Sequence, residues 1–199
     1  MPYIDRIVTL INDTLKTDML SRKAFQGGMF YGVAKLVQVK DSEDKNTLRP
    51  HIYEVNSKKE SNPFINDTYS FQIYHRVVSS SYEYSKIQQF GDGNTLITET
   101  TNMLAVVYGD PARLSVTQEN LAFIIIAGMP TNLTPIQIGN TDLGQVGIEP
   151  LSVNHNSISV YSQEYNQSDY PLDPRSILFA ISYKIETISD KACMACTDC

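Results

Sequence analysis

Three thiols crowd the last seven positions of the chain. Cys193, Cys196 and Cys199 stand in Cys193-Met194-Ala195-Cys196-Thr197-Asp198-Cys199, the densest set of ligand-type side chains in the 199 residues. Thiolates at this spacing can converge on one soft metal such as zinc, and a C-x-x-C-x-x-C run is also part of an iron–sulfur ligand set. Three donors leave a tetrahedral ion one short, so a fourth would have to come from His51, His75, His155 or a neighbouring subunit. The competing reading of the same residues is a reduced, exposed tail without metal. Redox catalysis fits poorly, because a thioredoxin-type pair sits at a helix N-terminus after a strand and this run does not. With every cysteine in the tail, no disulfide can staple the body, and the fold must stand on its core.

Elsewhere the types and spacings that catalysis needs are missing. The three histidines are scattered, none has an H-x-x-x-H partner, and there is no G-x-S-x-G nucleophile turn or phosphate-cradling glycine loop. His75 falls on the apolar face of a strand, where a hydrogen-bonded core or interface histidine is expected. Asp92, between Gly91 and Gly93, reads as turn chemistry, since no calcium-loop series follows it. Choosing Glu99 or Glu119 as acid–base groups would be arbitrary without a fold. The expectation is a non-enzyme with no catalytic or cofactor-binding residues.

The totals agree with one folded unit. Hydrophobic residues make up 42% and charged residues 19%, a globular balance. The net charge of −6 and the lack of a Lys/Arg cluster interleaved with aromatics argue against a nucleic-acid-binding groove, while leaving room for an acidic wall that DNA passes without being gripped. The longest apolar run, Leu121 to Met129, is half of what a bilayer requires, and MPYIDRIV has no secretion pattern; no membrane role is expected. We expect a single domain over residues 1–188 and a cysteine-containing tail over 189–199.

Position of any site depends on the elements, and one is written locally from start to stop. In Val116 to Pro130, Thr117 is an N-cap, Val116 and Leu121 are spaced as a hydrophobic staple, Gly128 can take the left-handed stop conformation, and Pro130 cannot continue a helix. The β-branched run AFIII also admits a buried strand; the caps favour helix. Such a helix has no polar face, so its own sheet leaves part of it uncovered, and Phe123, Ile125 and Ile126 become candidate subunit-interface residues. On this reading Ile125→Asp abolishes assembly.

Before it, Tyr3 to Leu20 is an amphipathic helix with Ile4, Ile7, Val8, Ile11, Leu15 and Met19 on one stripe and Asp5, Arg6, Asn12, Asp13 and Lys16 facing away. Strands are expected at Met29 to Val39, with Gly32 marking a bulge or close approach, at His51 to Val55, at Tyr69 to Ser79, and at Thr95 to Tyr108. Loops are expected at Lys40 to Arg49 and Asn56 to Asp67. Ser79 to Ser81 reads as a turn into a returning strand, Tyr82 to Gln88, and Gly91 to Asn94 as another turn, giving an antiparallel meander. Thr131 to Pro174 reads as a loop-rich excursion or docking arm with short β-like pieces at Ile136 to Ile138, Val146 to Ile148 and Ser157 to Tyr161. Ile177 to Ile188 has the cleanest alternation and should be a well-paired strand. The class is α+β: a mostly antiparallel sheet with an N-terminal helix and a second helix on one face.

This order, with YIDRIVTLINDTLKTDML at the front and ILFAISYKIETI at the back, resembles the tail-terminator (tail-completion) proteins of the phage neck. The likeness is one of layout, over Tyr3 to Ala127 and Ile177 to Ile188. It implies a homo-oligomeric ring that links the connector to the tail, contacts other neck and tail proteins, surrounds passing DNA without binding it specifically, and resides in the virion and, during assembly, the host cytoplasm. It carries over no catalytic residues. Two other readings stay open: a small β-rich binding domain, for instance for carbohydrate through exposed tyrosines, and a metalloprotein built on the C-terminal cysteines.

Overall fold

A computed structural model describes residues 2–22, 25–40, 46–54, 59–61, 69–86, 95–134, 145–164 and 175–190. Within them the order is α1 (Pro2–Met19), β1 (Met29–Lys40), β2 (Asn46–Glu54), β3 (Lys59–Ser61), β4 (Phe71–Lys86), β5 (Thr95–Gly109), α2 (Gln118–Gly128), β6 (Asn132–Leu133), β7 (Gln145–Asn154), α3 (Ser157–Glu164) and β8 (Ile177–Asp190). The strands form one sheet in the order β3-β2-β1-β4-β5-β8-β7-β6. Every described pairing is antiparallel except β1 with β4. The class is therefore α+β, as the patterning implies.

The apolar stripe of α1 is wholly buried: Ile4, Ile7, Val8, Ile11, Leu15 and Met19 join Phe71, Ile73, Met103, Ala105, Val107, Phe179, Ile181 and Tyr183 of the sheet and Leu121 and Ile125 of α2 in one core. Asn12 departs from expectation. It is 4% exposed rather than outward, because a position four after Val8 and three before Leu15 lies on the stripe itself. The opposite face of the sheet carries a second core of Ala34, Ile52, Tyr74, Val106, Tyr108, Leu178 and Ala180, closed by Val160 and Tyr161 of α3.

α2 is a helix, not a strand. Thr117 caps it, its hydroxyl accepting from the Asn120 N–H at 3.3 Å. The Glu119 carboxyl, in the first turn, is held below the usual range by its own backbone N–H and then by the Thr117 hydroxyl. Thr117→Ala should cost about 1 kcal/mol; the check is a lower urea midpoint at unchanged slope. The exit differs from the expected left-handed Gly128, since the only described glycine with positive φ is Gly27, at +84°. Met129, at φ −68° and ψ 132°, ends the helix, extended as a residue before proline must be. What Gly128 supplies is closeness, for a Cβ there would stand 3.1 Å from Leu15 of α1.

Four loop expectations yield to the sheet. Ser79 to Ser81 is not a turn: β4 runs unbroken to Lys86, paired along its length with β5, and the only irregularity is a register shift between Val77 and Ser79. The serines are held by cross-strand bonds, Asn102 Nδ2 donating to Ser79 Oγ at 3.0 Å and Ser80 Oγ meeting Thr101 Oγ1 at 3.2 Å. Asn46 to Arg49 and Lys59 to Ser61, read as parts of loops, are paired strand. Ser157 to Tyr161, read as β-like, opens α3, because the Asn156 side chain accepts from the Ser159 N–H at 3.0 Å and caps it. The excursion is no free arm where it is described. Its Gln145–Asn154 pairs with β8 through nine registered positions, and Val146 and Ile148 enter the core. The anticipated bulge at Gly32 is present, as a register shift between Phe30 and Val33, while a Cβ there would meet nothing. The expected turn at 91–94, the β-like piece at 136–138 and the cysteines lie outside the described residues.

Candidate assembly surface

Buried polar groups are where catalysis would be sought, and three clusters of them stand among the described residues. His75 is fully buried in β4. Asn12 Nδ2 donates to the Tyr31 carbonyl at 2.7 Å, which turns Asn12 Oδ1 toward His75 Nε2 at 3.0 Å. The proton therefore sits on Nε2, and Nδ1 accepts from the Tyr183 hydroxyl at 2.8 Å. Burial pushes the imidazole down to about 3 and the Tyr183 phenol well above its ordinary range. With both nitrogens bonded inside the core, His75 meets the expectation of a core histidine, and to ligate a metal it would have to break one of these bonds.

On the other face Glu164, whose side chain is fully buried at the end of α3, accepts from Arg76 Nη2 at 2.6 Å and Nε at 3.0 Å, and from the Tyr74 hydroxyl at 3.1 Å. Farther along the sheet Glu99, nearly buried, accepts from the Tyr3 hydroxyl of α1, whose proton is held more tightly than usual by burial and by that carboxylate. Each cluster ties one helix to the sheet. Sequence reasoning missed Asn12 as the partner of His75 and Arg76 with Glu164 as a pair; only Asn12 carried a local signal, its place on the helical stripe.

The exposed apolar groups point elsewhere. The sheet and α1 take Leu121, Ala122 and Ile125 from α2, which leaves Phe123 71% exposed on the outward side and Ile124 and Ile126 half-buried on its flanks. From Asn120 to Gly128 the helix has no charged residue. A surface helix ordinarily turns charge to water, and here the outward side past the first-turn Glu119 is Phe123 and Ala127 flanked by isoleucines. Of the three candidate interface residues, Phe123 lies on it and Ile126 at its half-buried flank. Ile125 does not: it is fully buried in the chain's own core, because it falls one turn after Leu121. A charge there would unfold the chain itself.

His155 bonds Gln118 at 3.1 Å and its ring lies 6.1 Å from Phe179, joining the start of α2 to the β7–α3 connection. Among the described residues no group of three or more His, Cys, Asp and Glu side chains could hold a metal ion, and no helix is long and apolar enough to cross a membrane. Comparison with protein-family models and with curated proteins finds no match to this chain.

Proposed function

We propose that the chain is a structural, non-enzymatic subunit that associates with copies of itself into a ring of a phage neck or tail, linking connector to tail around the DNA path. The observation that carries this is the exposed apolar side of α2 from Phe123 to Ala127, with Phe123 71% exposed and the one charge of the helix, Glu119, confined to its first turn. The layout of helix, antiparallel sheet, second helix and late central strand supports the same reading, and a net charge of −6 suits a wall that DNA slides past. On this proposal the chain works in the virion and is assembled in the host cytoplasm, in contact with other neck or tail proteins.

The test separates folding from assembly. Light scattering over a concentration series should give a closed oligomer, or a mass that rises with concentration. Phe123→Asp should leave urea unfolding within about 0.5 kcal/mol, as surface changes do, and hold the chain as a monomer. Ile125→Asp should instead lose the fold. A wild-type monomer at every concentration, or a Phe123→Asp protein of unchanged mass, sinks the interface.

One observation favours a second reading. Tyr82 and Tyr84 stand two apart on one face of β4 and are 49% and 68% exposed, a spacing at which aromatic rings can stack on a sugar. Saturable glycan binding by a monomer, lost in Tyr84→Ala, would replace the ring by a carbohydrate-binding domain. Metal content belongs on the same sample: stoichiometric zinc lost on deleting Cys193 to Cys199 would make the tail a metal site.

A further inference from the structure

Two carboxylates are buried among the described residues, Glu164 and Glu99, and only the first has a guanidinium on it. Glu99, on β5, is 3% exposed and accepts from the Tyr3 hydroxyl in the first turn of α1 and from Thr101 Oγ1 at 3.5 Å. Its cross-strand partner on β4 is Tyr82, and paired residues point to the same face, which sets the Tyr82 hydroxyl beside the same carboxylate. Partial burial first, then a hydrogen bond to Glu99 and its charge, and then Tyr84, hold the Tyr82 phenol above its ordinary range. No lysine, arginine or histidine among the described residues pairs with Glu99. Hydroxyls occupy its lone pairs and leave its charge uncancelled.

What lies outside that charge is aromatic. Tyr82 is 49% exposed, and Tyr84, two residues on and on the same face of β4, is 68% exposed. Neither ring stacks on another ring among the described residues. At the rise of a strand their Cα atoms stand about 6.8 Å apart, so a group set between the rings lies within about 6 Å of both, the range over which an aromatic face attracts a cation. A phenol that donates to a carboxylate is polarised by it, and its ring face becomes more negative. A sugar on the same rings would need acceptors for its hydroxyls, and the oxygens of Glu99 are buried and already engaged. A cation needs only the charge, which acts beyond contact distance. With so much of both rings open to water, the place suits a side chain anchored by its own polypeptide rather than a small molecule that must be enclosed.

We propose that Tyr82 and Tyr84, backed by Glu99, take the guanidinium of an arginine on a partner polypeptide. Of the two common side-chain cations the guanidinium is the flatter and the more weakly hydrated, so it loses less on lying against a ring. The net charge of −6 favours the approach of such a partner. The proposal is independent of the α2 interface, and either can fail alone.

Tyrosine-ring NMR of the intact chain tests it, with Tyr82→Leu and Tyr84→Leu assigning the two rings and the tripeptide glycyl-arginyl-glycine as the probe. Both ring signals should shift saturably. Exchanging the arginine for citrulline, which keeps the shape and loses the charge, should weaken binding about fivefold, as should Tyr84→Leu at unchanged thermal unfolding. Glu99→Gln should weaken it by a similar factor. Should that variant not fold, Tyr82→Phe keeps the ring, removes its hydroxyl from the carboxylate and should weaken binding about twofold. The proposal falls if neither signal saturates, if the citrulline peptide binds equally, or if Tyr82→Phe and every folded Glu99 variant bind as the wild type does. It falls equally if methyl glucoside saturates the rings at lower concentration than the arginine peptide, which makes them a sugar platform, or if raising the concentration of the chain alone moves both signals, since the occupant is then a second copy.

Discussion

Arg76→Ala should destabilise the chain by about 3–5 kcal/mol at neutral pH, a large share of what a domain of this size has to lose. Glu164 is the reason. Its side chain is fully buried, and it is the last residue of α3, where the negative end of the helix disfavours a carboxylate. Two nitrogens of Arg76 and the Tyr74 hydroxyl make that position tolerable; without the guanidinium a buried charge keeps only a neutral donor. Urea denaturation checks the size, and a double replacement checks the cause. Arg76→Met with Glu164→Met removes both charges and should recover most of the loss, because a buried pair exchanged for apolar side chains is often nearly neutral. A single-variant loss under about 1 kcal/mol would mean that α3 lets water reach Glu164.

Acid should unfold the protein earlier than its carboxylates alone require. His75 titrates near 6.5 in the unfolded chain and is pushed down to about 3 in the folded one by burial. Between those values the unfolded chain binds a proton that the folded chain refuses, so stability falls as pH drops through the window and is fully present above about 6.5. Each unit of the gap is worth about 1.4 kcal/mol. Thermal unfolding from pH 7.5 to pH 4 should show a steep decline in the wild type. In His75→Gln the decline should be shallower, although that variant starts lower at neutral pH because Asn12 and Tyr183 lose a well-fitted partner. Parallel curves for the two proteins would show that the imidazole is not the group being protonated.

How far these groups were legible in the sequence follows from the range of the forces involved. α1 and α2 were readable because their signals are local: apolar stripe, cap, terminating proline. β8 was readable because strict alternation over Ile177 to Ile188 can be satisfied in few ways. The serines of β4 misled because Ser79-Ser80-Ser81 has turn composition, and what keeps it extended is fifteen residues of β5 opposite, with Thr101 and Asn102 bonding the hydroxyls. Gln145–Asn154 looked irregular because Pro150 and Gly147 break its pattern, and only β8 beside it restores the strand. The pairs Arg76–Glu164 and Tyr3–Glu99 join residues 88 and 96 positions apart, a distance at which no spacing rule speaks. Of the candidate interface, exposure divided what sequence had grouped: Phe123 on the surface, Ile126 half-buried and Ile125 inside.

The central place of β8 also orders events in time. This strand, the last one described, lies between β5 and β7, and its partners β5 and β7 begin 82 and 32 residues earlier. Until Ile177 to Asp190 leaves the ribosome, β5 has one flank bare and Leu121 and Ile125 of α2 lack Phe179, Ile181 and Tyr183 to rest on. Closing so distant a pairing is slow, and the nascent chain shows apolar surface while it waits. A sheet of this topology cannot close until β8 has been translated, and until then β5 and α2 keep apolar surface in water.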